Sequence, residues 1–313
     1  MKKILLLLTI VTLFGISTFN FLSPDKKHDD IDDIIHQREF NKNFHSYSLV
    51  TPDSIEFAGE LAPLFADDIW ERYDKEIHRN VYWQSNTMFY FKRANKYFPI
   101  IEPILEKNNI PNDFKYLAVI ESGLENVVSP AGAAGFWQFM KGTAKDYDME
   151  VNSEVDERYN LEKATQAACE YLKKGYQRFG SWTMAAAGYN MGMNGLSKRS
   201  KEQFTDNYYD LYLNRETGAY IFRLLAIKEI FENQKKYGFE IREQDLYRYP
   251  NTREIKISSS NVNLSEYSIK LGLNYKILKQ LNPWLRDKYL TNKSGKTYIL
   301  KIPVDQEIYM FKD

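Results

Sequence analysis

The chain is 313 residues long, with 42 basic and 42 acidic side chains that cancel to a formal net charge of zero, and 43% of its residues are hydrophobic. That length suits one large domain, or a main domain with a small module, and the even charge without a basic block excludes the electrostatic footprint of a nucleic-acid binder. A single cysteine, Cys169, excludes an internal disulfide and a cysteine metal site, and His28, His36, His45 and His78 have no close ligand spacing, so neither a metal nor a cofactor is expected.

Lys2 and Lys3 precede an apolar run from Ile4 to Ile16, the pattern of a secretory signal with a basic front and a short hydrophobic stretch. Export is therefore expected, to the periplasm or cell envelope. No small-x-small cleavage site follows and no cysteine stands there to accept a lipid, so residues 1–22 read as a signal peptide or as an N-terminal membrane anchor, with Ser17, Thr18 and Asn20 weakening the second reading. Residues 23–55 are polar and aperiodic and read as a linker.

Helical spacing then dominates over Phe57–Arg79, Asn86–Lys107 and Pro111–Gly123. It continues over Leu161–Phe179, opened by Asn160 and closed by Gly180, over Ser181–Tyr189, and over Arg215–Tyr237, stopped by Gly238. No strands alternate with these helices, so residues 56–240 are expected to form a mainly α domain. After Gly238 come REIKI, LSEYSIKLG, LNYKILKQLNP and TYILKIP, the order of a small βααβ module over residues 250–306. The 23 tyrosines are many for this length. A phenol ring has a flat apolar face and a polar edge, which suits sugar rings as well as it suits packing.

Four segments carry residues fit for chemistry. In DFKYLAVIESG, Asp113–Gly123, apolar positions Phe114, Leu117, Ala118 and Ile120 follow helical spacing and place Glu121 in the last turn before Gly123. The free carbonyls of a helix end and apolar surroundings both disfavour a carboxylate, so Glu121 is a candidate general acid, with a solvated helix-end glutamate as the alternative. In SPAGAAGFWQFM, Ser129–Met140, Gly132 and Gly135 allow close backbone approach to a ligand and Gln138 offers an amide. AAAGYNMG puts Tyr189 and Asn190 at the end of a small-residue helix, and RETGAY puts Glu216 and Thr217 at the opening of the last long one.

In this order the segments resemble the catalytic domain of lytic transglycosylases, lysozyme-like enzymes of glycoside hydrolase family 23 related to goose-type lysozyme. The resemblance covers about Glu56 to Gly238 and rests on Glu121-Ser122, on Gly135 to Gln138, on Tyr189-Asn190 and on Glu216-Thr217. It departs from the family in lacking a lipid-bearing cysteine near the N-terminus and in having Gly188 where many relatives have alanine. It implies a mainly α, goose-type lysozyme fold and cleavage of the bond between N-acetylmuramic acid and N-acetylglucosamine with formation of 1,6-anhydromuramoyl ends. Glu121 would be the catalytic acid. Ser122 and Gln138 would bond near the reacting sugar, Tyr189 would wall the cleft, Asn190 would hold cleft loops through backbone hydrogen bonds, and Glu216 would position the cleft. Phe136 and Trp137 would line a saccharide subsite or pack beneath the loop. Residues 251–304 resemble a divergent LysM domain, with SSSNVN in place of its usual opening, implying either glycan binding or packing on the main domain. The partners implied are peptidoglycan glycan strands, with membrane association only through the N-terminal segment, for a protein expected to be monomeric. Rival readings are a hydrolytic muramidase using the same glutamate and a non-catalytic wall-binding protein.

Overall fold

The structure, a computed structural model, describes residues 30–43 and 47–304. The expected signal peptide or anchor at residues 1–22 lies outside the described residues. Among the described residues no helix is long and apolar enough to cross a membrane. The chain divides into two compact units, residues 1–45 and 46–313.

In the first unit the stretch expected to be a linker contains a helix, α1 (Asp30–Asn43). Its sequence is polar, but it places Asp32 and Asp33 toward the positive end of the helix dipole and Lys42 in the last turn. Lys42 pairs with Glu39 at 3.3 Å, and Gln37 bonds Asn41 one turn on at 3.1 Å. Such pairs give no apolar periodicity to detect.

The second unit opens with a hairpin, β1 (Glu56–Phe57) and β2 (Glu60–Leu61), where a helix is expected from Phe57. Ala58 at φ 53° and Gly59 at φ 81° are successive left-handed residues, the two-residue turn that joins antiparallel strands and cannot continue a helix. Helix α2 (Asp67–Tyr82) starts only at Asp67 and Asp68. Next comes α3 (Gln84–Lys107), which contains Pro99 and Pro103; both lie one turn apart on its exposed side, so the missing N–H groups fall where water replaces them. There follow α4 (Lys115–Ser122), α5 (Lys141–Asp146), α6 (Leu161–Phe179), α7 (Trp182–Met191), α8 (Met193–Gln203) and α9 (Arg215–Glu232).

Helix α9 is the axis of this mainly α domain. Thr217, Gly218 and nearly every residue from Tyr220 to Ile230 are buried, so it is covered on all faces, by α2, α4 and α7 among others. Helix α6 packs on α7 closely enough that a Cβ on Gly175 would stand 3.1 Å from the Cβ of Ala185. The caps expected for α6 are in place: Asn160 accepts from the Lys163 N–H at 3.1 Å and Gly180 ends the helix at φ 68°.

Two charged residues tie the opening hairpin to this core. Glu60 accepts from the Ser181 hydroxyl at 2.7 Å and from the N–H groups of Trp182 and Thr183 at 2.7 and 2.9 Å, capping α7 from outside its own sequence. Lys228, buried on α9, pairs with Glu56 at 3.1 Å and Asp113 at 2.7 Å, and Asp113 also accepts from the Ala58 N–H at 2.8 Å. A buried ammonium without both partners would be strongly destabilising.

The C-terminal module has the expected order with one addition. Strand β3 (Thr252–Ile257) pairs antiparallel with β6 (Tyr298–Pro303), Thr252 facing Pro303 and Ile257 facing Tyr298. Between them come β4 (Val262–Asn263), α10 (Leu264–Lys270), α11 (Tyr275–Leu281) and β5 (Tyr289–Leu290), and β4 and β5 form a second short pair. Asn282, fully buried, donates to the carbonyls of Leu278 and Lys301 at 2.9 and 2.7 Å and accepts from the Lys301 N–H at 2.8 Å, pinning α11 to β6. The module's apolar cluster includes Leu264, Leu278, Trp284, Leu285 and Leu300, and it takes in Ala134, Val155 and Tyr159 from the helical domain.

Candidate active site

Helix α4 delivers Glu121. The helix ends because Gly123 adopts the left-handed conformation at φ 63°, where its N–H donates to the Val119 carbonyl at 2.7 Å. No larger residue fits there, since a Cβ would come within 2.8 Å of the Tyr90 ring. Tyr116, Leu117, Ala118 and Val119 are buried along α4, which leaves Glu121 half-buried in the last turn.

The Glu121 carboxyl is pushed up to about 7. Burial is the main cause, and the negative charge of Glu216 adds to it; a hydrogen bond from Tyr220 and the positive charge of Arg223 act in the opposite direction. The Tyr220 hydroxyl donates to Glu121 Oε1 from α9, and its ring is 2% exposed. Burial and the neighbouring Glu121 hold the Tyr220 phenol well above its ordinary range, so it stays a donor. Arg223 stands 3.9 Å from Glu76, which Arg79 also holds at 3.0 Å.

Sequence reasoning stopped at Glu216 and Thr217 and missed Tyr220, the last letter of RETGAY. A signal was present: Tyr220 is four residues past Glu216, so both project from one side of α9.

The loop from Ser129 to Met140 bonds Ser122, the neighbour of Glu121. Three consecutive carbonyls in it accept side chains that the sequence motifs single out. Gln138 Nε2 donates to Gly135 O at 2.8 Å, Ser122 Oγ lies 2.9 Å from Phe136 O, and the Tyr189 hydroxyl donates to Trp137 O at 2.7 Å. Gln138 Nε2 also reaches Val127 O at 3.1 Å, and Ser122 Oγ stands 3.0 Å from Ala118 O on α4. Ser122 and Tyr189 therefore fix the loop against α4 and α7, while Gln138 ties it to itself and to Val127. Asn190 behaves likewise, but through side chains rather than the backbone bonds expected of it: it donates to Glu216 at 3.3 Å and accepts from the Thr217 hydroxyl at 2.8 Å. Glu216 is exposed in the first turn of α9, where Asn214 accepts from its N–H at 3.0 Å.

Of the two roles left open for Phe136 and Trp137, packing beneath the loop is the one found, and the ligand approach expected at Gly135 is corrected. Phe136 and Trp137 do not present faces to a saccharide: Trp137 is fully buried with its indole N–H on Thr165 Oγ1 at 2.8 Å, and Phe136 is buried edge-on against Tyr97 at 4.7 Å. Aromatic rings beside a glycine turn gain more from the apolar interior than from a wet cleft. The close approach permitted by Gly135, at φ 81°, is to the chain itself, since a Cβ there would overlap the Arg158 carbonyl at 2.0 Å.

Cys169 takes no part; it is buried, and burial pushes its thiol up to about 12. A cavity of about 670 Å³ lies between the helical domain and the C-terminal module, lined by Tyr97, Phe136, Tyr249 and Trp284 among others, and Glu121 is not in its lining. A half-buried acid with a pKa near 7, a phenol holding one of its oxygens and a loop fixed beside it can donate a proton and take one back.

Residues 98–212 match the family model described as the transglycosylase SLT domain, and residues 253–306 match the soluble lytic transglycosylase C-terminal LysM-like domain. Glu121, Ser122, Gln138, Tyr189 and Asn190 fall inside the first match, and Glu216 and Tyr220 lie just beyond it. Among curated relatives, the chain is 27% identical over 246 residues to the membrane-bound lytic murein transglycosylase D of Escherichia coli strain K12, an alignment of 75% of this chain and 51% of that protein. The same values hold for the protein of that name from E. coli O6:H1. The chain thus spans about half the length of the curated relatives it matches. Among solved structures, the 70 kDa soluble lytic transglycosylase of E. coli overlaps 71% of this chain and 46% of its own, at 15% identity and a TM-score of 0.38.

Proposed function

We propose that this chain, which carries a transglycosylase SLT domain joined to a LysM-like module, is a peptidoglycan lytic transglycosylase with Glu121 as its catalytic acid and base. The observation that carries the reading is Glu121 itself: an acid raised to about 7, held by Tyr220 and followed by Ser122, which bonds a loop whose carbonyls are fixed by motif residues.

Ordinary glycosidases use two carboxylates, one to protonate the leaving oxygen and one to attack or to activate water, and substrate-assisted enzymes are the exceptions. Here one acid serves twice. Protonated Glu121 gives its proton to the oxygen linking N-acetylmuramic acid to N-acetylglucosamine, the C1–O bond breaks, and the muramoyl acetamido oxygen stabilises the electron-poor C1. The Glu121 carboxylate then takes the proton of the same sugar's C6 hydroxyl, and the O6–C1 bond closes a 1,6-anhydro ring. The nucleophile already belongs to the bound sugar, so proximity favours ring closure over attack by water. Tyr220 occupies Oε1 and leaves Oε2 for the substrate. Glu216 is no second nucleophile in this scheme; its charge raises the pKa of Glu121, and it is held by Asn190.

Ser122, Gln138 and Tyr189 act by placing the loop, and Gln138 keeps its amide oxygen for the sugar. The basic and apolar N-terminal run supports export to the cell envelope, where this substrate lies. Mass analysis of purified peptidoglycan after digestion tests the reading. Anhydromuramoyl ends are expected, and reducing muramic acid ends alone would mean that water is the nucleophile.

A further inference from the structure

The turn between α5 and α6 is held on both sides. On one side is the module. Val155 bridges Leu285 as a strand would, with the Arg286 N–H donating to Glu154 O at 2.7 Å and the Asp156 N–H donating to Trp284 O at 2.8 Å. The Glu154 carboxylate accepts from the Thr291 N–H at 2.7 Å and from its hydroxyl at 2.9 Å, and Lys296 reaches Glu150 at 2.8 Å. Val155 and Tyr159 are buried in the module's own apolar cluster, with the Arg286 guanidinium 4.1 Å from the Tyr159 ring centre.

On the other side is the loop of the proposed active site. Arg158, buried, makes a two-pronged ion pair with Asp156 through Nε at 2.9 Å and Nη2 at 2.7 Å. Its remaining Nη1 donates to Gly132 O at 2.9 Å and Phe139 O at 3.1 Å, near the two ends of the loop. Its own carbonyl lies against Gly135, and Ala134 enters the module's cluster. The loop needs such support, because Gln138 is a non-glycine residue held at φ 50°, a conformation that persists only where its surroundings over-determine it.

We infer that the C-terminal module is an intramolecular brace for the loop 129–140, and that Arg158 is the positioning residue that transmits the docking of the module to the loop carbonyls. Docking fixes the backbone of Glu154 to Asp156, Asp156 fixes the guanidinium of Arg158, and that guanidinium fixes the loop that bonds Ser122 and Tyr189. The consequence for turnover rests on the reading of Glu121 as the catalytic acid; the mechanical link does not.

The test uses the full chain and compares wild type with Leu285→Asp, which puts a charge into the docked face, with Glu154→Ala, which removes only the contacts to Thr291, and with Arg158→Lys. Hydrogen exchange of the amides of residues 129–140 is followed beside kcat and KM on purified peptidoglycan. Leu285→Asp is expected to speed loop exchange about 10-fold and Glu154→Ala about 3-fold. Both should lower kcat by similar factors with little change in KM. Arg158→Lys, which keeps the charge and loses the fork, should speed exchange in the loop while the amides of residues 252–303 stay protected. If Leu285→Asp unfolds the chain, Glu154→Ala decides. Faster exchange in the module with an unchanged loop would overturn the inference, as would an effect on KM alone. A loop that responds in a protein that does not cleave peptidoglycan would leave the brace standing and refute the catalytic reading.

Discussion

Glu121 and Glu60 are the same residue at opposite ends of helices, and their surroundings drive them apart. Glu121 sits where α4 presents its free carbonyls, and burial pushes its carboxyl up to about 7 with a single phenol as donor. Glu60 meets the N-terminus of α7. Burial pushes its carboxyl up as well, but hydrogen bonds from Thr183, Ser181 and Trp182 outweigh that and leave it below the ordinary carboxylate range. Burial alone therefore does not make an acid catalyst. Glu121 is the more deeply buried of the two, and the depth of burial together with the number of donors facing the carboxylate decides whether it becomes a proton reservoir or a permanent anion that holds a fold together.

The largest expected effect that tests this contrast comes from Glu121→Gln. Turnover of peptidoglycan should fall about 10³-fold. Stability should move the other way: the folded state keeps a proton that the unfolded chain releases between pH 4.5 and about 7, so the wild type loses stability as pH rises through that window. The glutamine variant should unfold with equal ease at pH 4 and be more stable by about 3 kcal/mol at pH 8. Urea titrations at the two pH values that gave a pH-independent gap would break the account.

Tyr220→Phe comes next. It removes a hydrogen bond that stabilises the carboxylate, so kcat should fall by about 10-fold to 100-fold while the alkaline limb of kcat/KM moves to higher pH. A limb that moved down instead would mean that the phenol serves the protonated form. Glu60→Gln should cost about 1–2 kcal/mol at neutral pH, with the opposite pH dependence. The depressed carboxyl of Glu60 contributes stability above its unfolded value of about 4.5, and this is lost as pH falls through the folded value, so the gap between wild type and variant should narrow in acid. The smallest effect belongs to Glu216→Gln, which should lower the alkaline limb by about 0.5 pH unit, a shift visible in a pH series of initial rates.

Local signals carried much of the fold. Asn160 and Gly180 bound α6 where the sequence places them, because caps act on groups one turn away. The hairpin at Glu56 to Leu61 was hidden by apolar spacing that suits a helix as well as a strand, and only the Ala58-Gly59 turn distinguishes them. The position of Glu121 was legible as a helix end, but its partner was not, since Tyr220 lies 99 residues further on. The burial of Phe136 and Trp137 was equally out of reach: an aromatic beside a glycine reads alike whether it faces a sugar or an interior. Arg158 and Asp156 sit in a stretch with no motif, and their use became visible only with the loop and module on either side.

Lys228 sets an order of events. Its partners Glu56 and Asp113 belong to the first hairpin and to the turn before α4, and Glu56 precedes it by 172 residues. During synthesis the hairpin has no ammonium to bind, and Glu121 has no phenol, until α9 follows. Contacts this distant in sequence form late. A nascent chain that has not yet delivered Arg215–Glu232 is therefore incomplete in its opening hairpin and at its acid alike, so the proposed wall-cutting activity switches on only when nearly the whole helical domain has arrived.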